Sequence, residues 1–248
     1  MHGFYRSSYI DQDGNKHHMT TTQFEPNDAC KAFPCWDEPA AKATFDIVLK
    51  VPTGLVALSN MNVIDECPLD GTQLKEVKFA TTPVMSTYLL AFIVGDLDFI
   101  ESHTFGKINS TPIKCRVYTP LSTAYQGQYA LSVCTRILDL FEEVLGIPYP
   151  LPKMDMVAIP DFDSSAMENW GLVTFSISSL LFNEQTSSMM TKQGLLQIWH
   201  MNLLINSLAI LLPWNGGLIS GLVNGLLHGL ATMPLTSCFQ NGIFGPHL

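Results

Sequence analysis

From Gly194 to Leu248 the chain contains no Asp, Glu, Lys or Arg, whereas the first 193 residues hold all 35 of its charged side chains. Soluble domains are about a quarter charged, so two segments of different composition share one polypeptide. The break at Gln193 confines a conventional fold to the first part. The tail is expected to lack a native fold, because a segment never selected for a core has no consistent set of native contacts.

The rest of the composition excludes several functions. A formal net charge of −9 without any Lys/Arg run argues against nucleic acid and against acidic membrane surfaces. The Cys residues at 30, 35, 67, 115, 134 and 238 form no Cys-x-x-Cys pair, and no secretory apolar stretch follows Met1. They read as reduced thiols of a cytoplasmic protein, with a disulfide or metal site at Cys30 and Cys35 as the alternative. The run from 195 to 212 approaches the length of a membrane span. It is interrupted by Gln197, His200, Asn202 and Asn206, and Pro213, Gly216 and Gly217 follow.

Residues 1–100 read as a β-rich domain. Tyr5 to Ile10 leads into Asp13-Gly14, a tight-turn pair. Phe45, Ile47, Leu49 and Val51 alternate with Asp46, Val48 and Lys50, the period of a half-buried strand. Leu55–Val63, Leu74–Phe79 and Met85–Ile100 add three more candidates. Residues 101–193 read as a second, α+β domain. Its strands are Ile113–Tyr118, Met154–Ile159 and Leu172–Phe175. Its helix runs from about Thr123 to Leu145, with Ala130, Val133, Cys134, Ile137, Phe141 and Val144 on one face. Ser122 or Thr123 caps the helix, and Gly146 with Pro148 ends it. Overall the fold class is α+β, with antiparallel sheets leading.

Between the last two strands lies Ser165-Ala166-Met167-Glu168-Asn169-Trp170-Gly171. A carboxylate on such a short loop is held rigidly yet within reach of solvent. Glu168 can therefore capture a cationic ligand, coordinate a metal or serve as an acid or base.

This loop resembles the Gly-Ala-Met-Glu-Asn exopeptidase motif of zinc aminopeptidases related to aminopeptidase N and puromycin-sensitive aminopeptidase. The resemblance continues through Thr21-Thr22-Gln23-Phe24-Glu25-Pro26, Ala32-Phe33-Pro34-Cys35-Trp36-Asp37-Glu38-Pro39, Met85-Ser86-Thr87-Tyr88-Leu89 and Tyr149-Pro150-Leu151-Pro152-Lys153-Met154-Asp155. It implies part of a saddle-like β domain followed by the start of a thermolysin-like catalytic domain. It also implies that Glu168 binds the α-ammonium of a peptide, with Gln23 as its second contact. Ser165, Ala166, Met167 and Asn169 complete the substrate loop. Ser165 stands where the family has glycine, which changes the loop's access to positive φ.

Hydrolysis in the family needs His-Glu-x-x-His on a helix and a later Glu, which hold zinc while the first Glu activates water. The chain has no His-Glu pair, and neither His200 nor His228 has a histidine four residues away. No catalytic or metal residue is therefore assigned, and no zinc is expected to bind. The genetic code supplies a reason. Read from the third base of each codon, Trp199-His200-Met201-Asn202 forces Ala, permits His and forces Glu, and Leu203 to Ile205 permit Leu-Ala-His. A one-base deletion near Gln193, or an equivalent insertion, would make 194–248 an out-of-frame tail, with Leu248 an accidental stop. Met1 likewise falls inside a β-domain block that the family precedes with further strands. The expected protein is an inactive fragment of a peptide-trimming aminopeptidase that retains amine recognition. The alternatives are a non-catalytic peptide-binding decoy and a membrane-attached protein.

Overall fold

The computed structural model describes residues 1–106, 111–185 and 187–208. In chain order the strands are β1 (Gly3–Ile10), β2 (Lys16–Gln23), β3 (Val48–Pro52), β4 (Val56–Ser59), β5 (Val63–Pro68), β6 (Leu74–Phe79), β7 (Phe92–Gly95), β8 (Leu97–His103) and β9 (Lys114–Pro120). Helix α1 (Gln128–Leu145), strands β10 (Lys153–Ile159), β11 (Ala166–Met167) and β12 (Leu172–Ser176), and helices α2 (Ile177–Leu180) and α3 (Met189–Leu208) follow.

Local chemistry explains the first hairpin. Asp11 accepts backbone N–H groups from Asp13 and Asn15 through its carboxylate, and Gly14 takes a φ of +85°. β1 and β2 then pair in register from Gly3–Gln23 to Ile10–Lys16. The antiparallel sheet is completed in the order β1-β2-β7-β4, while β3-β6-β5 forms a second. The alternation around Phe45 to Val51 holds: Val51 is buried, Phe45, Ile47 and Leu49 are half-buried, and Asp46, Val48 and Lys50 are exposed.

The expected strand over Met85–Ile100 divides. A 3-10 turn at Thr87–Leu89 precedes β7, and β8 belongs to another sheet, ordered β11-β12-β10-β9-β8. The chain passes between sheets at Asp96, whose carbonyl accepts the Tyr9 hydroxyl at 2.6 Å. β10 runs parallel to both β9 and β12, with α1 as the crossover between β9 and β10. α1 starts later than expected because Ala124–Gly127 winds as a 3-10 turn, and Thr123 gives its hydroxyl to Pro120 O at 2.7 Å instead of capping the helix. Gly146, at φ +68°, ends α1 as expected, but Val144 is exposed rather than on the buried face.

The larger departure lies beyond Gln193. Residues 194–208 continue helix α3, and Leu195, Leu196, Trp199, Leu203 and Leu204 are buried in the main core with α1 and β10. Those five positions recur at helical spacing, so the stripe from 195 to 204 docks through apolar contacts, while Lys192 in the first turn of the helix lies 4.6 Å over the Tyr129 ring. The expectation of an unfolded tail is corrected for this stretch. Residues 209–248, including Cys238, His228 and the last part of the 195–212 run, lie outside the described residues. Among those described, no helix is long and apolar enough to cross a membrane.

A second core cluster joins the first sheet to the five-stranded one, packing Met19, Leu58 and Ile93 against Tyr118, Val157 and Ile159. Asp161 reinforces the seam, its carboxylate accepting Ser7 Oγ at 3.2 Å and Ser8 N at 3.1 Å. This seam brings the end of β2 next to the loop after β11.

Candidate functional site: an anionic cleft at the domain seam

β11 pairs antiparallel with β12 through Ala166–Phe175 and Met167–Thr174, so residues 168–171 form the turn between them. Gly171, at φ +76°, allows the turn to press on the first domain: a Cβ there would lie 2.5 Å from Asn60 O and 2.8 Å from Leu151 Cδ1. Met167 is fully buried, so its side chain packs the core while Glu168 beside it remains half-buried. Asn169 is buried and donates to Thr174 Oγ1 at 3.2 Å, bracing the turn internally. Ser165 is exposed and Ala166 half-buried at the loop's start.

The turn is also held from outside. Lys153, buried on β10, donates to Gly171 O and Ser59 O, each at 2.8 Å, and to Asp155 Oδ2 at 2.7 Å. From the opposite direction Asn206 of α3 donates to Glu168 O at 2.9 Å and Asn169 O at 3.1 Å. Its Oδ1 accepts Gly171 N at 2.9 Å and Tyr149 Oη at 3.0 Å. Sequence reasoning did not single out Asn206, because its contacts span 35 to 57 residues of chain and leave no local signature.

Gln23 ends β2 and is only 9% exposed, and its Oε1 has no hydrogen-bond partner. A buried carbonyl left without a donor costs about 1–3 kcal/mol, so this atom is an acceptor awaiting an N–H. Gln23 lines a cleft of about 340 Å³ together with Glu25, Phe162 and Asp163. The ammonium of Met1 pairs with Asp163 at the same place. Glu25 was not assigned from the sequence; it lies in the turn just after β2, where it lines the cleft with Gln23 while Phe24 between them is fully buried.

Electrostatics tie Glu168 to this cleft. Burial raises the Glu168 carboxyl above its ordinary value, and the nearby Glu25 charge raises it further. Burial likewise raises Glu25. The Tyr88 phenol is pushed up to about 12, chiefly by burial and then by the charges of Glu168 and Glu25. The half-buried Glu168, the exposed and only partly desolvated Glu25 and the Tyr88 phenol therefore share one neighbourhood, and the orphan Gln23 carbonyl lines the same cleft as Glu25. Such a set favours a cation that donates several hydrogen bonds.

The described donors do not gather into a zinc site. Among the described residues, no three His, Cys, Asp or Glu side chains are placed to share a metal ion. His200 lies edge-on to Phe141 at 5.3 Å, burial lowers its basicity, and Leu196 and Leu204 stand one helical turn to either side. The described cysteines are free thiols: Cys115 and Cys134 are buried, Cys35 is half-buried, and Cys30 and Cys67 are exposed.

Known proteins supply the lineage of this arrangement. Residues 1–89 match the Peptidase M1 N-terminal domain, and residues 129–201 match the Peptidase family M1 domain. The chain is 54% identical to Aminopeptidase M1 of Arabidopsis thaliana over 193 residues, which is 78% of this chain and 21% of that protein. It is 48% identical to Puromycin-sensitive aminopeptidase of Caenorhabditis elegans over 188 residues, 76% of this chain and 19% of that one. Against the Alanine/arginine aminopeptidase of Saccharomyces cerevisiae the identity is 47% over 190 residues, 76% and 21% of the two chains. The chain thus spans about a fifth of the length of the curated relatives it matches. With two successive domains matched in order, and with about half of the aligned residues identical to aminopeptidases of a plant, a nematode and a yeast, the chain belongs to the M1 peptidase family.

Proposed function

We propose that this chain recognises the free N-terminus of peptides and, as it stands, does not hydrolyse them. The observation that supports this most strongly is the buried, partnerless Gln23 carbonyl on the cleft it lines with Glu25, whose charge in turn reaches Glu168. A peptide α-ammonium carries three N–H donors and one positive charge. It can give one hydrogen bond to Gln23 Oε1 and two to the carboxylates, and its charge offsets their repulsion. An acetylated or internal nitrogen has neither the charge nor the donors, so the same cleft discriminates against endopeptide binding.

Removal of N-terminal residues, the chemistry in the relatives' names, is assigned here only to the lineage. Zinc is the metal that the family resemblance implies, and the donor set described above does not fit it. The chain is therefore read as an amine-recognising fragment of a cytoplasmic zinc aminopeptidase. Peptides are its partners, and neither nucleic acid nor membrane is among them.

Calorimetric titration of the full chain with trialanine amide and with N-acetyl-trialanine amide tests the recognition. A preference for the free amine of about one to two decades is expected from losing a charge-assisted contact of roughly 1.5–3 kcal/mol. Equal affinities would overturn the reading. Metal analysis and an amino-acid anilide assay test the rest: one equivalent of zinc with turnover refutes the claim of inactivity.

A further inference from the structure

We infer that Asn206, in the charge-free segment, is the positioning residue of the amine-recognition loop, so that helix α3 sets how strongly the chain selects free N-termini. The inference rests on the reading of Glu168 as an amine anchor.

Asn206 is 1% exposed, and its amide is saturated. Its two N–H donors meet the carbonyls of Glu168 and Asn169, and its oxygen accepts from Gly171 N and Tyr149 Oη. A primary amide offers two donors and two acceptor lone pairs, and all four are used. Three of the four bonds end on backbone atoms of the turn that presents Glu168. Because the carbonyl of Glu168 itself is one of them, the clasp fixes the peptide plane next to the recognition carboxylate rather than a distant part of the loop.

The clasp differs in kind from a packing contact. An apolar residue at 206 could fill the space between α3 and the turn but would leave Glu168 O, Asn169 O and Gly171 N buried without partners. The turn would then shift toward water to satisfy them. A shift of that kind moves the Glu168 carboxylate relative to Gln23 Oε1, and a shared ammonium has to satisfy both at hydrogen-bond distance. Selectivity for the free amine is thus lost before affinity for the rest of the peptide.

The test compares the full chain with Asn206→Asp and Asn206→Ala, and uses Tyr149→Phe as control. Asn206→Asp keeps the acceptor for Gly171 N and Tyr149 Oη and removes both donors to the turn. Tyr149→Phe removes one of the same four bonds but none that reaches the turn. Calorimetry with trialanine amide and its N-acetyl form gives the free-to-acetylated preference for each protein. The preference is expected to fall by roughly tenfold in both Asn206 variants and to stay within about twofold of the unmutated value in Tyr149→Phe. If the unmutated chain shows no preference, the amine-anchor reading itself fails. If it shows one that both Asn206 variants retain, Asn206 is a packing residue only and this inference is overturned. Should neither variant fold, amide hydrogen exchange of Gly171 in the unmutated chain reads the same coupling. Exchange is expected to slow with the free-amine peptide and not with the acetylated one, and unchanged exchange with both overturns the inference.

Discussion

Replacing Trp199 by alanine tests whether the charge-free segment belongs to the fold. The indole is fully buried, lies edge-on to Tyr129 at a centroid distance of 5.3 Å, and donates Nε1–H to Ser179 O at 2.8 Å. Truncating a buried Trp to Ala costs about 3–5 kcal/mol through lost transfer energy and the cavity left behind. The orphaned Ser179 carbonyl places the substitution toward the upper part of that range. Native domains are stable by only about 5–15 kcal/mol, so the variant should unfold at markedly lower denaturant. With a urea slope of about 2 kcal/mol/M, the midpoint falls by roughly 2 M, measured by tryptophan-independent far-ultraviolet dichroism. Met201 is 43% exposed on the same helix, and Met201→Ala should change stability by no more than about 0.5 kcal/mol. If Trp199→Ala costs less than about 1 kcal/mol, the indole is not in the core. The docking of α3 would then be wrong, and the tail would begin at Gly194 as its composition suggests.

Glu168→Gln should raise the thermal midpoint at neutral pH. The folded state holds this carboxyl above its ordinary 4.5, so its stabilising contribution is complete below that pH and lost as pH rises through the folded value, a loss that a permanently neutral amide avoids; a lower midpoint at pH 7 would refute this. Lys153→Met should cost about 3–5 kcal/mol in a denaturant titration, because it leaves the buried Asp155 carboxylate unpaired and frees Ser59 O and Gly171 O; a neutral result would show that water replaces the ammonium there. His17, held by Asp11 at 2.8 Å and Asp96 at 3.2 Å, has a raised pKa, chiefly through its hydrogen bond to Asp11. Its stabilising contribution is full below the ordinary 6.5 and lost as pH rises through the folded value, so His17→Gln should flatten the fall of the thermal midpoint over roughly pH 6 to 8; an unchanged profile would contradict the assignment.

Periodicity made the strands around Leu49, the α1 face around Ile137 and the turn at Gly14 legible from sequence, because each is decided by neighbours within a few residues. The division of Met85–Ile100 was not legible. The run is mostly apolar since both β7 and β8 have buried faces, and nothing near Asp96 marks the change of sheet there, which is held by Tyr9, far away in the chain. Glu168 was singled out through its motif, whereas Glu25 needed the fold to show that its charge reaches Glu168. α3 was misjudged for a different reason. Its stripe from Leu195 to Leu204 was in plain view, but the absence of charge was read as an absence of structure. Docking requires only an apolar face at helical period and satisfied polar groups. Asn202 and Asn206 meet the second requirement by bonding Ile198 O and the carbonyls of Glu168 and Asn169.

The lack of charge on α3 from Gly194 to Leu208 also has a consequence for the cleft. Glu168 is raised by burial and by Glu25, which together outweigh a hydrogen bond from its own backbone N–H, so its surroundings leave its negative charge only partly compensated. A Lys or Arg at position 206 could also reach the carbonyls of Glu168 and Asn169, but its positive charge would lower the Glu168 pKa and compete with a ligand's ammonium. Asn206 supplies the same donors through a neutral amide. The turn is fixed while the electrostatic demand of the carboxylates is left for the ligand to meet. Lys153, which donates to Gly171 O in the turn, is paired with Asp155 at 2.7 Å. On the proposed reading of Glu168 as an amine anchor, rigid placement by neutral dipoles, with Lys153 already paired, keeps a half-buried glutamate ordered and receptive to an incoming ammonium.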